Sequence, residues 1–272
     1  MAMALPKKWQ TLTAPFRRLP DFIIIGVQKG GTSSLFSYLG QHPQMILPGV
    51  KELHFFDNNF SQGINWYREH FPCKYIHPGS KTGEATPYYF RHPHAPRRVS
   101  EVCPEAKLIV LLRNPADRAY SHYQMQVKNK VFELQGFEDA IAREKDMLKG
   151  EFEKMVKDTA YYSFNHQKFS YLARGLYAEQ VRQWLVFFRP EQFLFLRSED
   201  FFRDPGSELL RVHEFLGITP QLPSDLRPVN TNTYEPIKMS TRVALNAFFE
   251  QDMNELAGML GDKFLWKDQP QL

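Results

Sequence analysis

Residues 26 to 34 read Gly-Val-Gln-Lys-Gly-Gly-Thr-Ser-Ser, a glycine pair set between a lysine and a run of hydroxyls. In a turn that opens a helix, Gly30 and Gly31 permit positive φ and let a phosphate approach backbone N–H groups, while the helix N-terminus adds partial positive charge. Thr32, Ser33 and Ser34 supply further donors. The segment almost matches the ATP-binding pattern G-x-x-x-x-G-K-[ST]. Here Gly26, four residues and Gly31 are followed by Thr32, and the lysine stands three places earlier, at Lys29. A nucleotide other than MgATP is expected. A second candidate phosphate holder lies at Arg113 and Ser121, within Leu-Arg-Asn-Pro-Ala-Asp-Arg-Ala-Tyr-Ser-His-Tyr. A guanidinium can engage two oxygens at once, and a nearby hydroxyl completes a site for a separate phosphate.

Elements must bring these residues together. Apolar runs at residues 22–27, 108–112 and 193–196 have the continuous apolarity of central strands in a parallel sheet. Helical patterns fill the intervals: 33–39, 115–131, 175–188, 207–216 with a stop at Gly217, and 241–260. A charged stretch at 137–157 reads as a surface helix or lid, and 220–228 as a loop. Alternation of strands and helices predicts an α/β fold, a mainly parallel sheet flanked by helices. All strand ends of such a sheet open on one crevice, so Arg113 is expected in the same site as Gly30. Residues 1–19 are read as an N-terminal extension and 20–272 as one domain.

The chain resembles the sulfotransferases that use 3′-phosphoadenosine 5′-phosphosulfate (PAPS), and within them the heparan sulfate N- and O-sulfotransferase branch. The segments that carry the resemblance are Ile-Ile-Gly-Val-Gln-Lys-Gly-Gly-Thr, Lys-Glu-Leu-His-Phe-Phe-Asp, Gly-Ile-Asn-Trp-Tyr, Thr-Pro-Tyr-Tyr-Phe, the Arg113 segment and Arg-Asp-Pro near residue 204. They span about residues 20 to 217 in the family's order. The resemblance implies a P-loop-like fold, with Lys29, Gly30, Gly31, Thr32 and Ser33 on the 5′-phosphosulfate and Arg113 with Ser121 on the 3′-phosphate. It implies no metal, and adenosine 3′,5′-bisphosphate as product. It also aligns Glu52 with the catalytic glutamate. In an extended segment Glu52 and His54 share one face, so His54 is the alternative base or a hydrogen-bond partner. Without the resemblance, Lys51-Glu52 reads as an ordinary exposed pair.

Glu84 begins a second segment expected on the acceptor side, with Tyr88, Phe56 and His166 as further acceptor contacts. Heparan enzymes usually carry a lysine after this glutamate, whereas this chain has Ala85, which argues against a highly anionic glycan. They also carry a Lys-Gly-Arg phosphate loop before the last helix. Here Lys238 or Arg242 would substitute, or Asn230 and Asn232 would close over the nucleotide. Arg91, His92, His94, Arg97 and Arg98 read as a basic loop near the acceptor mouth and lack metal-ligand spacing. His122 reads as a packed helix residue.

Bulk composition narrows the classes. The 272 residues are 43% hydrophobic and 14% aromatic, enough to bury a core and line a pocket with rings. A net charge of +4 suits an anionic ligand but falls short of a nucleic-acid binder. The two cysteines, Cys73 and Cys103, lie outside any CxxC pattern and fit a reducing compartment. No apolar leader and no membrane-length apolar run occur, which reads as cytoplasmic, with Lys7, Lys8, Trp9, Phe16, Arg17 and Arg18 as at most a surface arm. The expected reaction is sulfuryl transfer to a hydroxyl or amine of a small metabolite or of a hydroxyacyl chain on an acyl carrier protein. The competing readings are a glycan acceptor, a P-loop kinase and a non-catalytic nucleotide binder.

Overall fold

A computed structural model describes residues 11–75, 78–131, 136–229 and 234–266. Lys7, Lys8 and Trp9 of the basic arm, and Asn230 and Asn232, lie outside the described residues. Four strands form one parallel sheet: β1 (Phe22–Gly26), β2 (Gly83–Ala85), β3 (Lys107–Leu112) and β4 (Phe193–Arg197), in the order β2-β1-β3-β4. Ile24 of β1 lies opposite Ala85 on one side and Ile109 on the other. β1 is buried at every position, as the isoleucine run demands of a strand covered on both faces.

The helices are α1 (Thr32–Leu39), α2 (Gly63–Arg68), α3 (Ala95–Val102), α4 (Pro115–Lys128), α5 (Phe137–Leu148), α6 (Glu151–Lys157), α7 (Phe164–Lys168), α8 (Tyr177–Leu185), α9 (Ser198–Arg203), α10 (Pro205–Leu216) and α11 (Met239–Leu260). Alternation along the strands divides the core. Ile23, Ile25, Leu108, Val110 and Leu112 pack on α3 and α8 through Val99, Tyr177, Val181 and Trp184. Phe22, Ile24, Ile109 and Leu111 face α1 and α10 through Leu35, Leu39, Leu209 and Val212. Each such fully buried aliphatic or aromatic side chain stabilises the fold by about 1.5–3 kcal/mol. A third cluster joins α4, α5 and α11 through Ala116, Ala119, Phe137, Leu245 and Phe249.

Three expectations change. β2 has three residues, one of them glycine, too short for a periodic signal to reveal. The stretch 137–157 is two helices, because the chain turns at Gly150 with φ of 74°. Arg97 and Arg98 of the basic stretch expected as a loop lie in α3, which opens with Pro96 in its first turn and buries Arg98 at 7% exposure. Among the described residues, no helix is long and apolar enough to cross a membrane.

Candidate active site

The glycine turn is fixed from beneath. The Val27 N–H donates to Leu111 O at 3.0 Å, the Gly30 N–H to Val27 O at 2.9 Å, and the Ser198 hydroxyl to Gly30 O at 2.6 Å. A Cβ on Gly30 would lie 2.4 Å from Leu111 O, so this position requires glycine for close approach of two backbones. Gly31, at the N-cap of α1, has φ of 99°, and Lys29 has φ of 75°. The turn therefore rolls through the left-handed region on both sides of Gly30 and delivers Thr32 and Ser33 to the first turn of α1. Ser34 does not face that turn: it is fully buried, and its hydroxyl accepts the Val229 N–H at 2.9 Å.

The next strand end supplies Arg113, whose guanidinium donates to Lys29 O at 3.3 Å and whose carbonyl accepts from the Tyr177 hydroxyl at 2.9 Å. Asn114 caps α4 by accepting the N–H groups of Ala116 and Asp117 at 3.0 and 3.2 Å. Ser121 is buried on the same helix. Burial lowers the pKa of Lys29, and the charges of Arg113, Lys128 and Arg118 lower it further. The turn is thus a concentration of positive charge that an anion would relieve.

Across the edge, at the end of β2, the Glu52 N–H donates to Ala85 O at 3.0 Å. Glu52, His54 and Asp57 form one chain of ionisable groups. His54 Nδ1 lies 2.6 Å from Asp57 Oδ2, His54 Nε2 lies 3.6 Å from Glu52 Oε2, and Lys51 Nζ lies 2.6 Å from Glu52 Oε1. Burial lowers the His54 pKa, but hydrogen bonds and charge from Asp57 and Glu52 outweigh it and raise the imidazole to about 9. Burial likewise raises Glu52, but His54 and Lys51 overcome it and hold the carboxyl at about 2. At neutral pH Glu52 is a carboxylate and His54 an imidazolium that contacts the Asp57 carboxyl. Sequence reasoning missed Asp57. Its signal was the spacing Glu-x-His-x-x-Asp, which an extended reading hides because the backbone turns at Glu52 (φ 63°) and His54 (φ 51°).

Two expected acceptor contacts lie in the core instead. Glu84 is 1% exposed, and its two oxygens accept from the hydroxyls of Tyr67, Tyr89 and Thr86 at 2.6, 3.1 and 2.7 Å. Burial pushes its pKa up, and those hydroxyls hold the rise to about 7. Phe56 is fully buried, edge-on to Tyr67 and Tyr89. Tyr88 and His166 of α7 do meet, with the Tyr88 oxygen 2.8 Å from His166 Nδ1, but both are buried. Burial, with the charges of Arg91 and Arg174, lowers His166 to about 2, so the ring is neutral, and its buried Nε2 has no partner among the described residues.

Lys238 lies apart from the turn: its exposed ammonium is 3.4 Å from Glu138 on α5. Arg242 sits at the first turn of α4, bound to Asp117, with a buried Nε that has no partner among the described residues. Two arginines that sequence reasoning passed over or placed in a loop hold the site. Arg98 donates to the carbonyls of Phe56, Asp57 and Thr159 at 3.0, 2.9 and 2.9 Å. Arg174 donates to Gln28 Oε1 at 2.6 Å and lies 4.8 Å over the Tyr88 ring, linking the glycine turn to Tyr88. Among the described residues, no group of three or more His, Cys, Asp or Glu side chains could hold a metal ion.

Comparison with known proteins gives this geometry a context. A family model described as Sulfotransferase domain matches residues 19–254. The chain is 29% identical to the membrane-associated sulfotransferase kil1 of Dictyostelium discoideum, over 92% of this chain and 67% of that protein. It is 39% identical to human heparan sulfate glucosamine 3-O-sulfotransferase 6, over 74% of this chain and 53% of the relative. The chain thus spans about half the length of that human relative. Among solved structures, a sulfotransferase from Alicyclobacillus acidocaldarius superposes with a TM-score of 0.70 at 29% identity, over 93% of this chain and 98% of that one.

Proposed function

We propose, from the premise that this chain belongs to the sulfotransferase family, that it is an enzyme moving a sulfuryl group from PAPS to a hydroxyl or amine. The observation that carries this reading is the pairing, along one sheet edge, of a cation-crowded glycine turn with the Glu52–His54–Asp57 chain. The donor set fits a nucleotide bearing two separate anionic groups. Backbone N–H groups at Gly30 and Gly31, with Lys29, Thr32 and Ser33, would hold the 5′-phosphosulfate, and Arg113 with Ser121 the 3′-phosphate. Arg242, paired with Asp117, lies on the α4 side of the proposed 3′-phosphate site, and Lys238 is paired with Glu138.

When bound, PAPS supplies the activated sulfuryl group and an anionic leaving group. Lys29 stabilises the charge that develops on the leaving oxygen, the electrostatic contribution expected to dominate a loose transfer. Glu52 takes the proton of the attacking hydroxyl or amine. A loose transfer places little charge on the nucleophile, so a weakly basic carboxylate suffices. His54, already protonated, orients Glu52 and is backed by Asp57. His54 is therefore assigned as partner rather than base.

Similarity to a heparan sulfate 3-O-sulfotransferase favours a glycan hydroxyl as acceptor. Ala85, buried at the end of β2, leaves no cation where the heparan branch usually has lysine, which favours a less anionic acceptor such as a metabolite or a carrier-bound hydroxyacyl chain. A cytoplasmic site of action is supported by the free thiols of Cys73 and Cys103. Incubation with labelled PAPS and separate pools of desulfated glycans, metabolites and acyl carrier proteins, read by mass spectrometry, tests the proposal. One pool should gain SO3 in step with adenosine 3′,5′-bisphosphate. Unchanged transfer by Glu52→Gln and Lys29→Ala variants would refute the mechanism.

A further inference from the structure

Glu84 and Tyr89 are buried, titratable and absent from the mechanism above, yet they connect directly to it. The oxygen of Tyr89 accepts the backbone N–H groups of Phe55 and Phe56 at 2.8 and 3.3 Å, and its proton goes to Glu84 Oε1 at 3.1 Å. The two amides lie immediately after His54 and before Asp57, inside the turn that presents the ionisable chain. That turn holds two non-glycine residues, Glu52 and His54, at positive φ within three positions. Such conformations persist only where surrounding contacts over-determine them.

We propose that Glu84 is a positioning residue, acting through Tyr89 to hold the Glu52–His54–Asp57 turn in its strained conformation. The chemistry explains why a carboxylate is needed at a fully covered strand position. The two oxygens of the Glu84 carboxyl accept the hydroxyl protons of Tyr67, Tyr89 and Thr86. The Tyr89 oxygen is then left with its lone pairs free for the two amides. An amide at position 84 offers one acceptor oxygen in place of two and brings donors of its own, so one hydroxyl must turn away. A phenylalanine at position 89 leaves both buried N–H groups without a partner. From the other side the turn is tied by Arg98 to the carbonyls of Phe56 and Asp57, and by the N–H groups of Asn58 and Asn59 to His54 O. Amides and carbonyls of one short segment are thus held by separate partners.

The inference rests on the proposed role of the turn, and the test separates the two. The His54 imidazole reports the turn's geometry, because its raised pKa depends on contact with Asp57 and Glu52. Its titration is followed by NMR in the full chain for wild type, Tyr89→Phe, Glu84→Gln and Glu52→Gln, alongside affinity for adenosine 3′,5′-bisphosphate. In Tyr89→Phe the His54 pKa should fall by about one unit or more toward its ordinary value, with a smaller fall in Glu84→Gln and bisphosphate affinity unchanged. Amide exchange at Phe55 and Phe56 should accelerate about 100-fold in Tyr89→Phe. If Tyr89→Phe does not fold, Glu84→Gln carries the same readings. A His54 titration unaltered in the folded variants would overturn the inference, whatever their melting temperatures. Undiminished transfer by Glu52→Gln would instead overturn the assigned base and leave the positioning result standing.

Discussion

At the scale of single residues, the site is a balance of charge on two sides. Lys29 is crowded by cations, and His54 is clasped by the carboxyl groups of Glu52 and Asp57. The second arrangement makes stability depend on pH with a definite sign. The His54 pKa is raised from 6.5 to about 9, so its stabilisation is fully present below 6.5 and is lost as pH rises through 9. Glu52 is lowered from 4.5 to about 2, so its contribution is present above 4.5 and is lost as pH falls through 2. The melting temperature of wild type should therefore exceed that of His54→Asn at pH 6.5, and the difference should shrink by pH 9. A constant difference across that range would show that His54 is not held as an imidazolium. In catalysis, Glu52→Gln should lower kcat by about 100-fold or more while leaving bisphosphate affinity within about twofold. Steady-state kinetics and calorimetric titration read the two quantities separately.

At the scale of elements, the site consists of strand ends and the turns that follow them, and each turn is locked by a specific contact. Gly30→Ala would place a methyl 2.4 Å from Leu111 O, and neither backbone can yield. The expected cost is about 1–3 kcal/mol in urea unfolding, with bisphosphate binding lost. Arg98→Met should cost about 1–3 kcal/mol, because the carbonyls of Phe56, Asp57 and Thr159 lose their donor. Legibility in the sequence follows the same division. β1, β3, β4, α1, α4 and the stop at Gly217 were readable, because continuous apolar runs, Pro115 and a glycine stop are local signals. The glycine turn and Arg113 could be placed on one edge from strand polarity alone. β2, the clasp of Asp57 and the inward direction of Glu84 were not readable. β2 depends on pairing with β1, the clasp of Asp57 on positive φ at Glu52 and His54, and the inward direction of Glu84 on hydroxyls from Tyr67, Tyr89 and Thr86, and none of these leaves a periodic trace.

At the scale of the molecule, one parallel sheet aligns four strand ends, and helices on both faces bury them. The cation-crowded glycine turn is built from the ends of β1, β3 and β4, and the ionisable chain is tied to the end of β2, so the fold itself sets the two halves side by side. A ligand that binds only the folded chain must stabilise it: adenosine 3′,5′-bisphosphate at about 100 times its Kd should add about 2.7 kcal/mol. Thermal melts should show this shift undiminished in EDTA and weakened by salt. A requirement for Mg²⁺ would favour a kinase-like nucleotide site instead. The most direct measurement is the coupled conversion of PAPS in the presence of the acceptor pool, wild type against Lys29→Ala. Wild type should form adenosine 3′,5′-bisphosphate and SO3-bearing acceptor in equal amounts, and Lys29→Ala should slow both by about 100-fold or more. Equal rates in the two proteins, or bisphosphate formed with no sulfated acceptor in any pool, would contradict the proposed transfer.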